Sequence, residues 1–88
     1  MKQLASNQQL YDYLGEMESV LQNRGAVELA TIVAHARKFA AGSSTEFLGE
    51  SRIALRRLQD ARPEVLTADE RSELRLALRD LDGAFNRR

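Results

Sequence analysis

The side chains able to do covalent or metal chemistry are few, and their spacing limits what they can do together. The chain carries one histidine, His35, and no cysteine. Covalent hydrolysis requires a nucleophile, a base and a group that orients the base. A metal site inside a helical bundle requires inward carboxylates together with Glu-x-x-His pairs. No such pair occurs, and phosphate-binding glycine loops and dinucleotide fingerprints are absent as well. The carboxylates fall on solvent faces and at helix starts, where capping accounts for them. The residues therefore predict no catalytic group, no metal site and no cofactor.

His35 is set apart by its position. At roughly 100° per residue it leaves the stripe of Leu29, Ile32, Val33 and Ala36 and joins Glu28, Thr31 and Lys38. The spacing of His35 and Lys38 lies within Ala34-His35-Ala36-Arg37-Lys38-Phe39-Ala40-Ala41-Gly42, followed by Phe47-Leu48-Gly49. This stretch resembles the signature of histidine phosphotransfer domains. The resemblance spans residues 34–49 and implies a four-helix bundle in which His35 carries a phosphoryl group steadied by Lys38. Phe39 stands where that family places a glycine beside the ring.

Arg71, Arg75 and Arg79 form an i, i+4, i+8 row. Like charges at this spacing cost a few tenths of a kcal/mol per pair. Counter-charges on a neighbouring helix are expected, with Asp12 and Glu16 as candidates. The row also supports a role as a weak nucleic-acid accessory protein, which Asp69, Asp80 and Asp82 on the same helix oppose. Lys and Arg total 13 against 13 Asp and Glu. Electrostatic capture of nucleic acid or of an anionic membrane normally needs a basic excess. The halves differ mildly: four basic and six acidic residues over 1–50 (−2), nine and seven over 51–88 (+2).

Two aliphatic residues break the binary pattern. Ile53 projects opposite the face of Phe47, Leu55 and Leu58, among Glu46, Gly49, Glu50, Arg57 and Asp60. Leu76 projects opposite Leu74, Leu78 and Leu81, among Asp69, Ser72, Glu73, Arg79 and Asp80. An apolar centre with a charged rim is the anatomy of a small interface. The expectation is one patch across the third and fourth helices, with Ile53 and Leu76 as anchors and Arg57, Arg75 and Arg79 as rim. The leading reading is a small interaction module that docks a protein partner or forms a homodimer, without catalytic activity. The alternatives are phosphotransfer through His35 with Lys38, and weak nucleic-acid binding.

These residues must be positioned by helices. The sequence predicts an all-α single domain over 1–88, a four-helix up-down bundle or a compact irregular four-helix array, with helices at about 6–24, 26–41, 44–61 and 68–82. Ser6/Gln9, Ser43/Glu46 and Thr67/Glu70 have capping-box spacing. Gly25 and Gly42 close the first two helices, and Pro63 breaks the third. Leu10, Leu14, Met17 and Leu21 form one stripe; Leu29, Ile32, Val33, Ala36 and Ala40 form the next. Val27, Ala30 and Ala34 make a second flank on that helix, so it should contact two neighbours. Val65 and Leu66 should tuck beneath the bundle, and Asn86-Arg87-Arg88 should fray. The first nine residues lack an apolar signal-like core, and no apolar run approaches the length of a membrane span. With no cysteine, a cytoplasmic location is expected.

Overall fold

The turn after the first helix is fixed by local chemistry. In the computed structural model, which describes residues 6–86 and side chains as far as Ala84, α1 is Asn7–Asn23. Ser6 caps it by accepting from Gln9 N at 3.2 Å. At the other end Gly25 takes φ 79°, the left-handed conformation that glycine adopts without penalty. Ala26 N donates to Leu21 O at 2.8 Å and Gly25 N to Gln22 O at 3.1 Å. This pair of bonds is a Schellman motif, and its apolar contact is present because Leu21 and Ala26 are both buried. The second helix, α2 (Val27–Lys38), therefore begins at once, and its first residue Val27 is left 63% exposed rather than forming an apolar flank.

A 3₁₀ turn, Phe39–Ala41, follows α2, so Ala40 is exposed and not part of the buried stripe. Then α3 spans Ser44–Ala61, with Ser43 accepting from Glu46 N. Arg62, ahead of Pro63, leaves the helical region at φ −146°, and a second 3₁₀ turn, Pro63–Val65, leads to α4 (Ala68–Asn86). Leu66 is buried and Val65 packs against the core, as their spacing predicts. Whether the last helix passes Gly83 is left open by the sequence; it does, and reaches Asn86. A helical glycine costs about 1 kcal/mol, and Asp82 beside it is held by Arg52 at 2.7 Å and Arg56 at 2.9 Å from α3. Residues 1–5 and 87–88 and the side chain of Phe85 lie outside the described part, and with them the expectation of fraying at Arg87 and Arg88.

The array is all-α. Its helices alternate in direction: Arg37, late in α2, lies on Tyr11, early in α1, and His35, late in α2, shares a groove with Glu50, early in α3. Arg52 and Arg56 of α3 meet Asp82, late in α4. One cluster of buried residues, including Leu14, Leu21, Val33, Phe47, Leu58, Leu74 and Leu81, runs through all four helices. Gly15 makes room for the Arg37 guanidinium, which covers the Tyr11 ring at 3.9 Å while Nε donates to Tyr11 O at 3.2 Å. A Cβ at Gly15 would lie 2.7 Å from Arg37 Nη2. Tyr13, buried on α1, has its phenol pushed above the ordinary range by burial, and Glu73, Glu16 and Glu70 push in the same direction. Ser51 is fully buried in α3 although its type gave no sign of it, and its hydroxyl has no hydrogen-bond partner among the described residues.

A clamp closes the far end. Thr67 N donates to Glu70 Oε1 at 2.8 Å and Glu70 N to Thr67 Oγ1 at 3.2 Å, a reciprocal capping box. Arg24, just past α1, binds both Glu70 oxygens and also donates to Val65 O at 2.8 Å. Hydrogen bonds from Arg24, and then from the Thr67 backbone, draw the Glu70 carboxyl down from 4.5 to about 2.

Two measurements check these assignments. A carboxyl lowered on folding stabilises the fold above its unfolded pKa and loses that contribution as pH falls through its folded value. Between pH 4.5 and 2 the wild type should therefore lose melting temperature faster than Glu70→Gln, which keeps the capping-box residue type without the charge. The gap between the two should be constant above pH 5, and parallel melting curves throughout would refute the clamp. Ser51→Ala removes an unpartnered hydroxyl and improves helix propensity, so urea unfolding should show a gain of about 0.5–1 kcal/mol.

Candidate interaction surface

Two small residues, Ala36 of α2 and Ala54 of α3, are buried beneath a hollow between these helices, and larger aliphatic residues beside them are left at the surface. Ala36 and Ala54 are each 2% exposed. Ile32 is only half-buried, and Ile53 is 60% exposed. Between the helices lies an apolar hollow of about 280 Å³, lined by Thr31, Ile32, His35, Glu50, Ile53 and the two alanines. A second hollow of about 420 Å³ continues toward the Gly25 corner, bordered by Val27, Leu29, Ile32, Arg57, Ala61 and Arg62. Ile32 lines both hollows, so they adjoin along the α2/α3 face and are together called the α2/α3 groove.

Among the described residues, Val27 and Ile53 are the strongly exposed large hydrophobics, and both lie on this groove. The rim is charged: Glu28 and Arg62 at one end, Glu50 at the other, and Arg57 between them. Arg62 pairs with Glu64 at 3.1 Å. No ion pair engages Glu28, Glu50 or Arg57 among the described residues.

The expected patch over the third and fourth helices is divided. Ile53 faces α2, and no α4 residue lines its groove. The side of α3 turned to α4 carries Arg52 and Arg56 instead. Leu76 is half-buried on α4 and lines neither hollow of the α2/α3 groove. Of the anchors and rim residues read from the sequence, the structure brings Ile53 and Arg57 together and separates Leu76, Arg75 and Arg79 from them. Val27 and Ile32 were missed as surface residues. Their apolar type signals core, and only the early start of α2 and the small residues where α2 meets α3 put them outside.

The arginine row is not matched to α1. Arg71 Nη1 donates to Leu66 O at 2.7 Å and to Pro63 O at 3.5 Å, closing the connection before α4. Arg75 donates to Ser72 Oγ at 3.3 Å, and Asp12 accepts from Gln8 at 3.0 Å. The physical reason is the side of α4 that α1 approaches. That side bears Glu70 and the Glu73 that influences Tyr13, whereas Arg71 and Arg75 border the hollow shared with Gln59 and Pro63.

His35 and Lys38 are both exposed one turn apart on α2 and border different hollows. His35 borders the α2/α3 groove, and Lys38 borders a hollow with Asn7, Gln8 and Tyr11 on the α1 side. The Phe39 and His35 rings are nearly perpendicular, with centroids 5.4 Å apart. No group of three or more His, Cys, Asp or Glu suited to a metal ion occurs among the described residues. No helix there is long and apolar enough to cross a membrane. Compared with known proteins, the chain matches no family model, no curated protein and no solved structure.

The division between surface and core has a direct check. Val27→Ser and Ile53→Ser should leave the unfolding free energy within about 0.5 kcal/mol of wild type. Leu55→Ala, one turn from Ser51 and fully buried, should cost about 2–5 kcal/mol. Urea titration followed by circular dichroism distinguishes the two classes.

Proposed function

We propose that the chain is a helical protein–protein interaction module that docks a protein along the α2/α3 groove and has no catalytic activity of its own. The observation that carries this reading is the placement of Val27 and Ile53, exposed by 63% and 60%, on a single groove joined by Ile32. Isolated exposed aliphatics are ordinary, but three in one concave strip with charges at both ends have the anatomy of a binding site. Burying one such side chain contributes roughly 1.5–3 kcal/mol. Grooves of this kind accept the apolar face of a helix.

The other two readings have less support. A phosphoryl group on His35 would stand beside the Phe39 ring, where the phosphotransfer signature has a glycine. Nucleic-acid binding through the arginine row would have to compete with the backbone carbonyls already bound by Arg71.

The test is site-specific crosslinking. A photoreactive residue at Val27 should capture a protein in the cells that make this chain, and Ile53→Glu in the same chain should abolish the capture. The same probe at Gln22, exposed on α1, should capture nothing comparable. Equal labelling from both positions, or labelling indifferent to Ile53→Glu, would refute the docking site.

A further inference from the structure

The outer face of α3 has a charge order that is complementary to its own reverse. Glu46, Glu50, Ile53 and Arg57 fall within roughly 60° of one another around the helix axis at 100° per residue, and no α4 residue lines the hollows that Glu50, Ile53 and Arg57 border. Reading along the helix, this strip is acidic, acidic, apolar, basic. Glu50 and Arg57 are seven residues apart, a rise of roughly 10 Å, which is too far for them to pair within one chain. Neither is engaged by another side chain among the described residues. The other arginines of α3 and its cap behave differently: Arg52 and Arg56 are held by Asp82, and Arg62, just past the helix, by Glu64.

Resting on the docking reading for this face, we propose that the occupant of the α2/α3 groove is a second copy of the same chain. The two α3 helices run antiparallel about a two-fold axis passing between Ile53 and Ala54. An isologous contact requires a patch that complements itself. With the axis placed there, Glu50 of each copy meets Arg57 of the other, so one geometric choice satisfies two uncommitted pairs. Each Ile53 enters the hollow over Ala36 and Ala54 of the opposite copy, where the small side chains leave the space. Ile32 and Val27 extend the apolar contact on either side, and Glu46 of each copy approaches the Ala61 end of the other. The fixed pairs set the register, because a parallel alignment would bring Glu50 against Glu50 and Arg57 against Arg57.

The decisive experiment exchanges the charges on separate chains. Sedimentation equilibrium should show wild type dimerising at protein concentrations on the order of 100 µM. Glu50→Arg alone and Arg57→Glu alone should each weaken the dimer at least tenfold, since each sets like charges face to face. An equimolar mixture of the two variants should restore dimerisation, because the mixed pair regains both opposite-charge contacts. No effect confined to one folded chain produces that rescue, and thermal melts identical to wild type confirm that each variant is folded. Ile53→Glu should remain monomeric in any mixture. A monomeric wild type at this concentration, or a mixture no more associated than its components, would overturn the self-pairing. If the Val27 probe then still captured a different protein, the docking site would stand with another occupant. If it captured nothing, both readings would fall.

Discussion

The pair of small buried residues where α2 meets α3, Ala36 and Ala54, governs what this protein presents to its surroundings. Alanines at these two positions fill little of the space between the helices, and a hollow remains over them. Ile32 and Ile53, one turn or one position away, border that hollow and remain partly in water. The groove is therefore a consequence of the small side chains at this point, and its apolar character follows from the aliphatic residues that border them. The Schellman corner extends it, because α2 starts directly after Gly25 and Ala26 and so leaves Val27 outside.

Arginine is used here mainly as a fastening. Arg24 joins the end of α1 to Val65 and Glu70, Arg37 covers Tyr11 in the gap left by Gly15, and Arg71 closes the loop before α4. A planar guanidinium with five donors suits such tasks, since it can satisfy a carboxylate and a carbonyl together. In a chain with as many acidic as basic groups, the arginines beside Glu50 and Arg57 are fastened in this way, while Glu50 and Arg57 themselves carry no ion pair among the described residues. A small domain buries a limited fraction of its surface. Its loops are accordingly secured by hydrogen bonds to backbone carbonyls as well as by leucine burial.

The sequence made the elements legible because their signals are local. Ser6, Ser43 and Thr67 each accept from a backbone N–H three residues on, and Gly25 and Pro63 act on their own backbone or the residue beside them. The leucine stripes marked the inward faces for the same reason, since period 3.6 is a property of one helix. Ile53 was recognisable as an outward residue on that basis. Destinations were not legible. The arginine row could be placed on a flank of α4 but not matched to Leu66 and Pro63, and Leu76 could be placed opposite the core but not separated from Ile53. Ser51 appeared as an ordinary polar residue and lies in the core. Periodicity fixes the angle of a side chain around its own helix. Which neighbour stands at that angle, and how near, is set by packing among all four helices, and only the tertiary structure contains it.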